Sequence, residues 1–171
     1  VVPVELGESS YPIYIGWEVL GDFGRTFVEH CGSKQALVIT DENVAGWYGQ
    51  AVVESLARAG VWAQAAAVPA GETSKSLPQL ERLYEKMFDL ALERSDAVVA
   101  LGGGVVGDLA GYAAATFKRG VRLVQVPTTL LAMVDSSIGG KTGINHARGK
   151  NMIGSFYQPR MVYADVSVLG T

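Results

Sequence analysis

Ala97-Val98-Val99-Ala100-Leu101-Gly102-Gly103-Gly104-Val105-Val106-Gly107-Asp108 reads as a buried strand that runs into a glycine turn and then into a helix. That unit belongs to layered α/β proteins. It also suits an anion, because glycines permit the tight turn, unpaired N–H groups at the helix start face the ligand, and the helix dipole adds favourable potential. Gly102, Gly104 and Gly107 satisfy G-x-G-x-x-G, but the run lies mid-chain and no acid follows about 20 residues on to take a ribose. An ordinary first-strand dinucleotide fingerprint is therefore disfavoured. Glycines kept for helix–sheet packing alone are the competing explanation; the ligand reading gains weight because open parallel sheets bind ligands just beyond their strands.

Outward from this run, short apolar stretches rich in Val, Ile and Ala alternate with longer segments of helical period, the pattern of a mainly parallel sheet flanked by helices. Strands are predicted at 1–6, 12–15, 36–40, 61–68, 97–101, 121–126 and 161–165. The clearest helix spans 77–94: Leu80, Leu83, Tyr84, Met87 and Ala91 recur at three- and four-residue spacing, with Glu81, Arg82, Glu85 and Lys86 on the other face. Ser76 and Gln79 fit a capping box, and Pro78 suits the first turn. Further helices are expected near 21–30, 43–59 and 107–118.

At 171 residues and 49% apolar content, the chain suits one domain with a real core. A pI of about 5.4, with no basic stripe interleaved with aromatics, argues against a nucleic-acid partner. No apolar run approaches the roughly 20 residues needed to span a bilayer. The opening Val1-Val2-Pro3-Val4-Glu5 has neither the basic nor the apolar region of a signal peptide, so a cytoplasmic protein is expected. Cys31 is the only cysteine, and with His30 and His146 it makes a poor metal-ligand set; a zinc site built wholly from this chain is not expected.

Residues 135–158 combine glycines, lysines and amides without helical or strand periodicity, as a ligand-holding segment would. Glycines at 139, 140, 143, 149 and 154 allow positive φ and close backbone approach, Lys141, Arg148 and Lys150 add charge, and Asn145 and Asn151 both donate and accept. Between 118 and 151 six Lys or Arg face one acid, a local balance of +5, while the remaining chain stands at −8. A small anion is the expected partner. Gly139-Gly140-Lys141-Thr142 imitates the end of a Walker A loop, but that motif's first glycine would fall on Asp135, so the triphosphatase reading fails.

Asp41 and Asn43 end a predicted strand and could either accept hydrogen bonds from ribose hydroxyls or simply cap the next helix. Pro69-Ala70-Gly71-Glu72-Thr73-Ser74-Lys75, taken alone, is more often a solvated turn than a site. Thr128 and Thr129 offer two hydroxyls at the same sheet edge, where a plain turn explains them almost as well. His146 and Cys31 lack metal-ligand spacing, and Met133 reads as packing.

Taken together, Gly71-Glu72 with Lys75, the 102–108 turn, Phe117-Lys118-Arg119-Gly120, Val126-Pro127-Thr128-Thr129-Leu130, Asp135-Ser136-Ser137-Ile138-Gly139-Gly140-Lys141-Thr142 and Gly149-Lys150-Asn151-Met152-Ile153-Gly154-Ser155-Phe156-Tyr157-Gln158-Pro159 closely resemble the 3-dehydroquinate synthase family. The resemblance runs in order along 1–171 and covers the amino-terminal, NAD-binding domain of a two-domain enzyme; it implies a Rossmann-like, mainly parallel sheet. The family converts 3-deoxy-arabino-heptulosonate 7-phosphate to 3-dehydroquinate and phosphate on the shikimate route to aromatic amino acids. NAD acts catalytically there, with a divalent metal, zinc or cobalt. The resemblance assigns Asp41 and Asn43 to the adenosine end of NAD, Glu72 and Lys75 to its ribose region, and Gly103, Gly104, Val105, Val106, Gly107 and Asp108 to the pyrophosphate. Thr128, Thr129, Val168 and Thr171 would also adjoin the cofactor. Asp135, Lys141, Lys150 and Asn151 become substrate and nicotinamide contacts, and Arg119 the phosphate contact that family dimers lend across their interface. A homodimer acting on a small sugar phosphate follows from the same resemblance.

The family's metal ligands, a Glu and two His in a helical carboxyl-terminal domain, cannot be mapped here, and a fragment of the enzyme is the favoured expectation. The alternatives are another sugar-phosphate cyclase such as 2-deoxy-scyllo-inosose synthase, a polyol dehydrogenase of the iron-type alcohol dehydrogenases, or a stand-alone dinucleotide-binding module. Metal analysis of dialysed protein should find no stoichiometric zinc; one bound zinc per chain would point to a complete metal site in this sequence.

Overall fold

The computed structural model describes residues 1–170. The apolar run at its centre is a strand, β5 (Ala97–Gly102), buried along its whole length. Around it lie β1 (Val2–Val4), β2 (Tyr11–Gly16), β3 (Gln35–Asp41), β4 (Trp62–Val68), β6 (Arg122–Pro127) and β9 (Met161–Asp165). They form one seven-stranded sheet in the order β1-β2-β9-β6-β5-β3-β4. Only β1 runs antiparallel, pairing Val2 with Ile13. The other pairings are parallel, as in Ala97↔Arg122 and Ala36↔Ala97.

Such a sheet must be covered on both faces. On one face α1 (Phe23–Cys31) and α3 (Gln50–Arg58) bury Phe23, Phe27, Val52 and Leu56 against Val38, Val99 and Val124. Gly24 makes this close crossing possible, because a Cβ there would stand 2.0 Å from the Ser55 carbonyl oxygen. On the other face α4 (Leu77–Asp89) and α5 (Gly104–Thr116) bury Leu80, Leu83, Met87, Leu109 and Ala113 against Leu37, Ile39, Val98 and Leu123. A short α2 (Glu42–Val44) reaches α3 through a wider π turn, Ala45–Gly49. Among the described residues no helix is long and apolar enough to cross a membrane.

Several boundaries differ from the sequence expectation. Helix α4 stops at Asp89 because Ala91 turns left-handed, φ 49°, and sends Leu92 back into the core. Ser76 precedes α4 without a side-chain cap bond, so the capping box does not form. Helix α5 starts at Gly104, three residues before its expected start. The largest correction concerns residues 135–158, which are not irregular. A π turn, Ala132–Ser136, leads to an antiparallel hairpin of β7 (Lys141–His146) and β8 (Gly149–Phe156) packed on α5. Gly143 and Gly154 let its strands close together, for a Cβ on Gly154 would lie 2.2 Å from the Thr142 oxygen.

Asp165, at the end of β9 and 2% exposed, anchors the loop after β2. Its carboxylate accepts from the N–H groups of Glu18, Val19, Leu20 and Ser167 and from the Ser167 hydroxyl, at 2.6–3.0 Å. Burial pulls its pKa upward, but the bonds from Ser167, Leu20 and Val19 outweigh that and hold it below the ordinary value. A depressed carboxylate stabilises the fold above its unfolded pKa, about 3.9, and that stability is lost as pH falls through the lower folded value. Asp165→Asn should therefore cost about 2–4 kcal/mol at pH 7 and flatten the acid limb of the stability profile, measured by urea denaturation from pH 7 down to 3.

Candidate functional site

The connection leaving β3 goes to β4 on one side, and the chain returns to β5 on the other, so the crossovers diverge between β3 and β5. A crevice at such a point, beyond the carboxyl ends of the strands, is the usual ligand site of an open α/β sheet. Two grooves meet this edge. The first, about 390 Å³, is lined by Asp41 and Asn43 after β3, Gly71 after β4, Gly103 to Val106 after β5, and Thr128 and Thr129 after β6. The second, about 520 Å³, lies between α5 and the hairpin and is lined by Asp108, Asp135, Ser136, Lys141, Asn151 and neighbouring residues.

In the first groove the Asp41 carboxylate accepts from Asn43 N–H at 2.9 Å and Val44 N–H at 3.1 Å, capping α2. Capping and ligand contact are compatible, since the same residue also lines the groove. Gly103 is extended and starts α5 without a side-chain cap, leaving the helix N-terminus to the groove. A Cβ on Gly104 would come within 3.0 Å of the Ser136 hydroxyl, itself buried without a hydrogen-bond partner. Thr129 accepts from Ala132 N–H at 3.2 Å and so caps the helical turn that carries Asp135. Trp47 and Tyr48, on the π turn, complete one wall. Sequence reasoning missed them, although an aromatic pair just past a sheet-edge Asp and Asn was a usable signal.

The second groove is organised by charge. Lys75 is 4% exposed, and its ammonium donates to Asp108 Oδ2 at 2.6 Å and to Asn151 Oδ1. The 69–75 turn is thus solvated over 69–73, and only its end, Ser74 and Lys75, is buried. Burial pushes the Asp108 pKa up against the opposing hydrogen bond and charge of Lys75. Asp108 belongs with this pair in the second groove instead of lying along the first. Glu72 accepts from the Asn145 amide at 2.8 Å. Lys141 pairs with Asp135 at 3.1 Å, both more than half exposed.

Asp41, Asn43, Gly103, Gly104, Val105, Val106, Thr128 and Thr129 thus gather in one groove, and Asp108, Asp135, Lys141 and Asn151 in the other, with Lys75 bonded beneath. Lys150 is exposed on β8 beside Asn151. Gly107 sits inside α5, its carbonyl accepting from Gln125 at 3.2 Å. Val168 is buried in the core on the α1 face and contributes by packing. Arg119 lies in the turn between the carboxyl end of α5 and the start of β6, the opposite sheet edge, and cannot join either groove of its own chain. Thr171 lies outside the described residues. No group of three His, Cys, Asp or Glu among the described residues could hold a metal ion.

A mainly parallel, helix-flanked sheet with grooves at its switch point defines a Rossmann-like α/β ligand-binding domain. Residues 65–171 match the family model described as 3-dehydroquinate synthase N-terminal, and the chain belongs to that family. It is 55% identical over 170 residues to the 3-dehydroquinate synthase of Desulforamulus reducens, covering 99% of this chain and 47% of that protein. The corresponding enzyme of Caldanaerobacter subterraneus subsp. tengcongensis is 51% identical, with 99% and 48% covered. The chain therefore spans about half the length of the curated relatives it matches. Among solved structures, a 2-deoxy-scyllo-inosose synthase complexed with carbaglucose-6-phosphate, NAD+ and Co2+ superposes with a TM-score of 0.89 at 30% identity, over 98% of this chain and 46% of the other. The 2-epi-5-epi-valiolone synthase of Streptomyces hygroscopicus subsp. jinggangensis, with NAD+ and Zn2+ bound, gives 0.84 at 28%, over 98% and 46%.

Lys75→Met should destabilise the domain by about 3 kcal/mol at pH 8, because it leaves Asp108 charged and half-buried without its partner. A carboxyl with a raised folded pKa is penalised as pH rises and relieved as it protonates. The loss should shrink toward pH 5, as read from urea midpoints at both values.

Proposed function

We propose that this domain binds NAD across the two grooves and that, within the longer protein, it serves the conversion of 3-deoxy-arabino-heptulosonate 7-phosphate to 3-dehydroquinate and phosphate. The observation that carries the proposal is the continuous edge from Asp41 past the open N-terminus of α5 to Lys141 and Asn151, in a chain of this family. The residues present fit the cofactor. Gly104 lets the start of α5 approach the Ser136 side chain to a distance that a Cβ would crowd, the buried Ser136 hydroxyl lacks a partner, and α5 directs free N–H groups to the same point. Asp41 and Asn43 take the adenosine end, Gly103 to Val106 the pyrophosphate, and Glu72 and Lys75 the neighbouring ribose. When bound, NAD supplies a reversible hydride acceptor.

The chain's own residues orient and hold charge. Lys141 and Lys150 place cations where an acid and a phosphate must be bound, and Asp135 keeps the Lys141 ammonium in position. Asn151, held by Lys75, presents its remaining amide group to the ligand. The divalent metal of the related cyclases finds no ligand set among the described residues, so the proposal assigns its ligands to the other half of the protein. Lys118 and Arg119 both adopt left-handed backbone angles, φ 48° and 64°. The turn holds Arg119 exposed at the far sheet edge, a placement that supports an Arg119 lent to the partner's phosphate site in a cytoplasmic homodimer.

A 2-deoxy-scyllo-inosose synthase is the second reading, supported by the close superposition. The 55% identity to a 3-dehydroquinate synthase, against 30% to the cyclase structure, favours the first. Calorimetric titration with NAD should give weak single-site binding, and Gly104→Val should weaken it by about tenfold or more, roughly 1.4 kcal/mol. No heat and no thermal shift at millimolar NAD would overturn the assignment. Phosphate release from each sugar phosphate by the full-length protein separates the two readings.

A further inference from the structure

We propose that Asn145 is a positioning residue that sets the ring end of the dinucleotide site by pinning a bulge in β8 to the turn at 72–75; this rests on the NAD reading above. The β7–β8 ladder pairs Ile144 with Ile153 and then His146 with Gly149. One residue, Asn145, thus faces three, Lys150, Asn151 and Met152. A bulge of this kind breaks the ladder and re-aims the side chains it carries. The N–H of Asn151 would lose its ladder partner there, and the Asn145 side-chain carbonyl replaces it, accepting that N–H at 2.9 Å. Asn151 is thereby held in the left-handed region, φ 56°, from which its side chain meets Lys75.

The same residue reaches the other way. Its backbone N–H donates to the Lys75 carbonyl at 2.8 Å, and its side-chain amide donates to Glu72 Oε1 at 2.8 Å. Asn145 therefore connects β7, the bulge and the turn after β4 with an acceptor and a donor from one short planar group. Aspartate keeps the acceptor, loses the donor and sets a like charge against Glu72. Alanine loses both. Asn145 touches neither the first groove nor its glycines, so its influence is confined to the end where Lys75, Lys150 and Asn151 stand.

The test compares NAD with ADP, which occupies only the first groove and its pyrophosphate cradle, by calorimetry on the chain and its variants. Asn145→Ala and Asn145→Asp should each weaken NAD by about tenfold while ADP changes less than about twofold, retained ADP binding showing that the fold stands. Because Glu72 is itself assigned to the ribose, the like charge is tested as a cycle. In a Glu72→Gln background, where the glutamine amide can donate to the new carboxylate, Asn145→Asp should weaken NAD by no more than about threefold relative to Glu72→Gln alone. Unchanged NAD binding in both single variants, equal loss of NAD and ADP, or an undiminished effect, about tenfold, of Asn145→Asp in the Glu72→Gln background would overturn the role. Failure of the unsubstituted chain to bind NAD would instead overturn the dinucleotide reading, and this role with it.

Discussion

The buried contact of Lys75 with Asp108 and Asn151 is the interaction on which the site depends. It joins the turn after β4, the second turn of α5 and the bulge of β8, three segments that share no local structure. An ammonium taken out of water costs several kcal/mol unless its charge and its donors are matched. Asp108 answers the charge and Asn151 a further donor, so the three segments are held in one arrangement. The sheet makes that arrangement possible. Its apolar strands require helices on both faces, and this leaves the two strand-end edges, the carboxyl edge among them, open for polar groups.

The elements were legible where local pattern and final packing agree. The strand at 97–101 and the one at 161–165 are buried throughout, and the apolar runs 97–101 and 161–164 say so directly, Asp165 being the exception. The hairpin was hidden because its strands pack through Thr142, Gly143 and Gly154, where the gain comes from backbone approach rather than from apolar alternation. Helix α4 was read five residues too long because Ala91 and Leu92 keep a helical spacing while the backbone has already reversed. Burial of Leu92 offsets the left-handed turn before it, and no local rule anticipates that trade.

For the site, residue types showed which chemistry was present, and only the fold showed which groups are partners. Asp41 was ambiguous between cap and ligand, and the geometry shows both are compatible, since its Oδ1 serves α2 at the rim of a groove. Lys75 looked solvent-bound because its turn is polar; the burial comes from α5 and β8, which lie 33 and 76 residues further along the chain. Arg119 carries the family resemblance, but topology sets it at the far edge of the sheet. A sequence places residues along a line, and the distances that matter here run across it.

The exposed rim of the second groove bears on how the proposed enzyme divides its labour. Met152 and Phe156 line that groove while 72% and 83% exposed, and Leu130, Leu131 and Val134, on the segment leading to Asp135, are also exposed. The Lys141–Asp135 pair stands in water, where such a pair contributes at most about 1 kcal/mol. Covering the apolar rim would remove water from the same charges, and Coulomb interactions strengthen several-fold as the effective dielectric falls. The polar residues of this domain would then act on an anionic substrate with a strength they lack when uncovered. The chain spans about half of its relatives' length; under the function proposed above, the cover would come from the remainder of the longer protein. On that proposal, the charges that meet the substrate stand in this domain, and their full electrostatic effect needs the apolar rim covered.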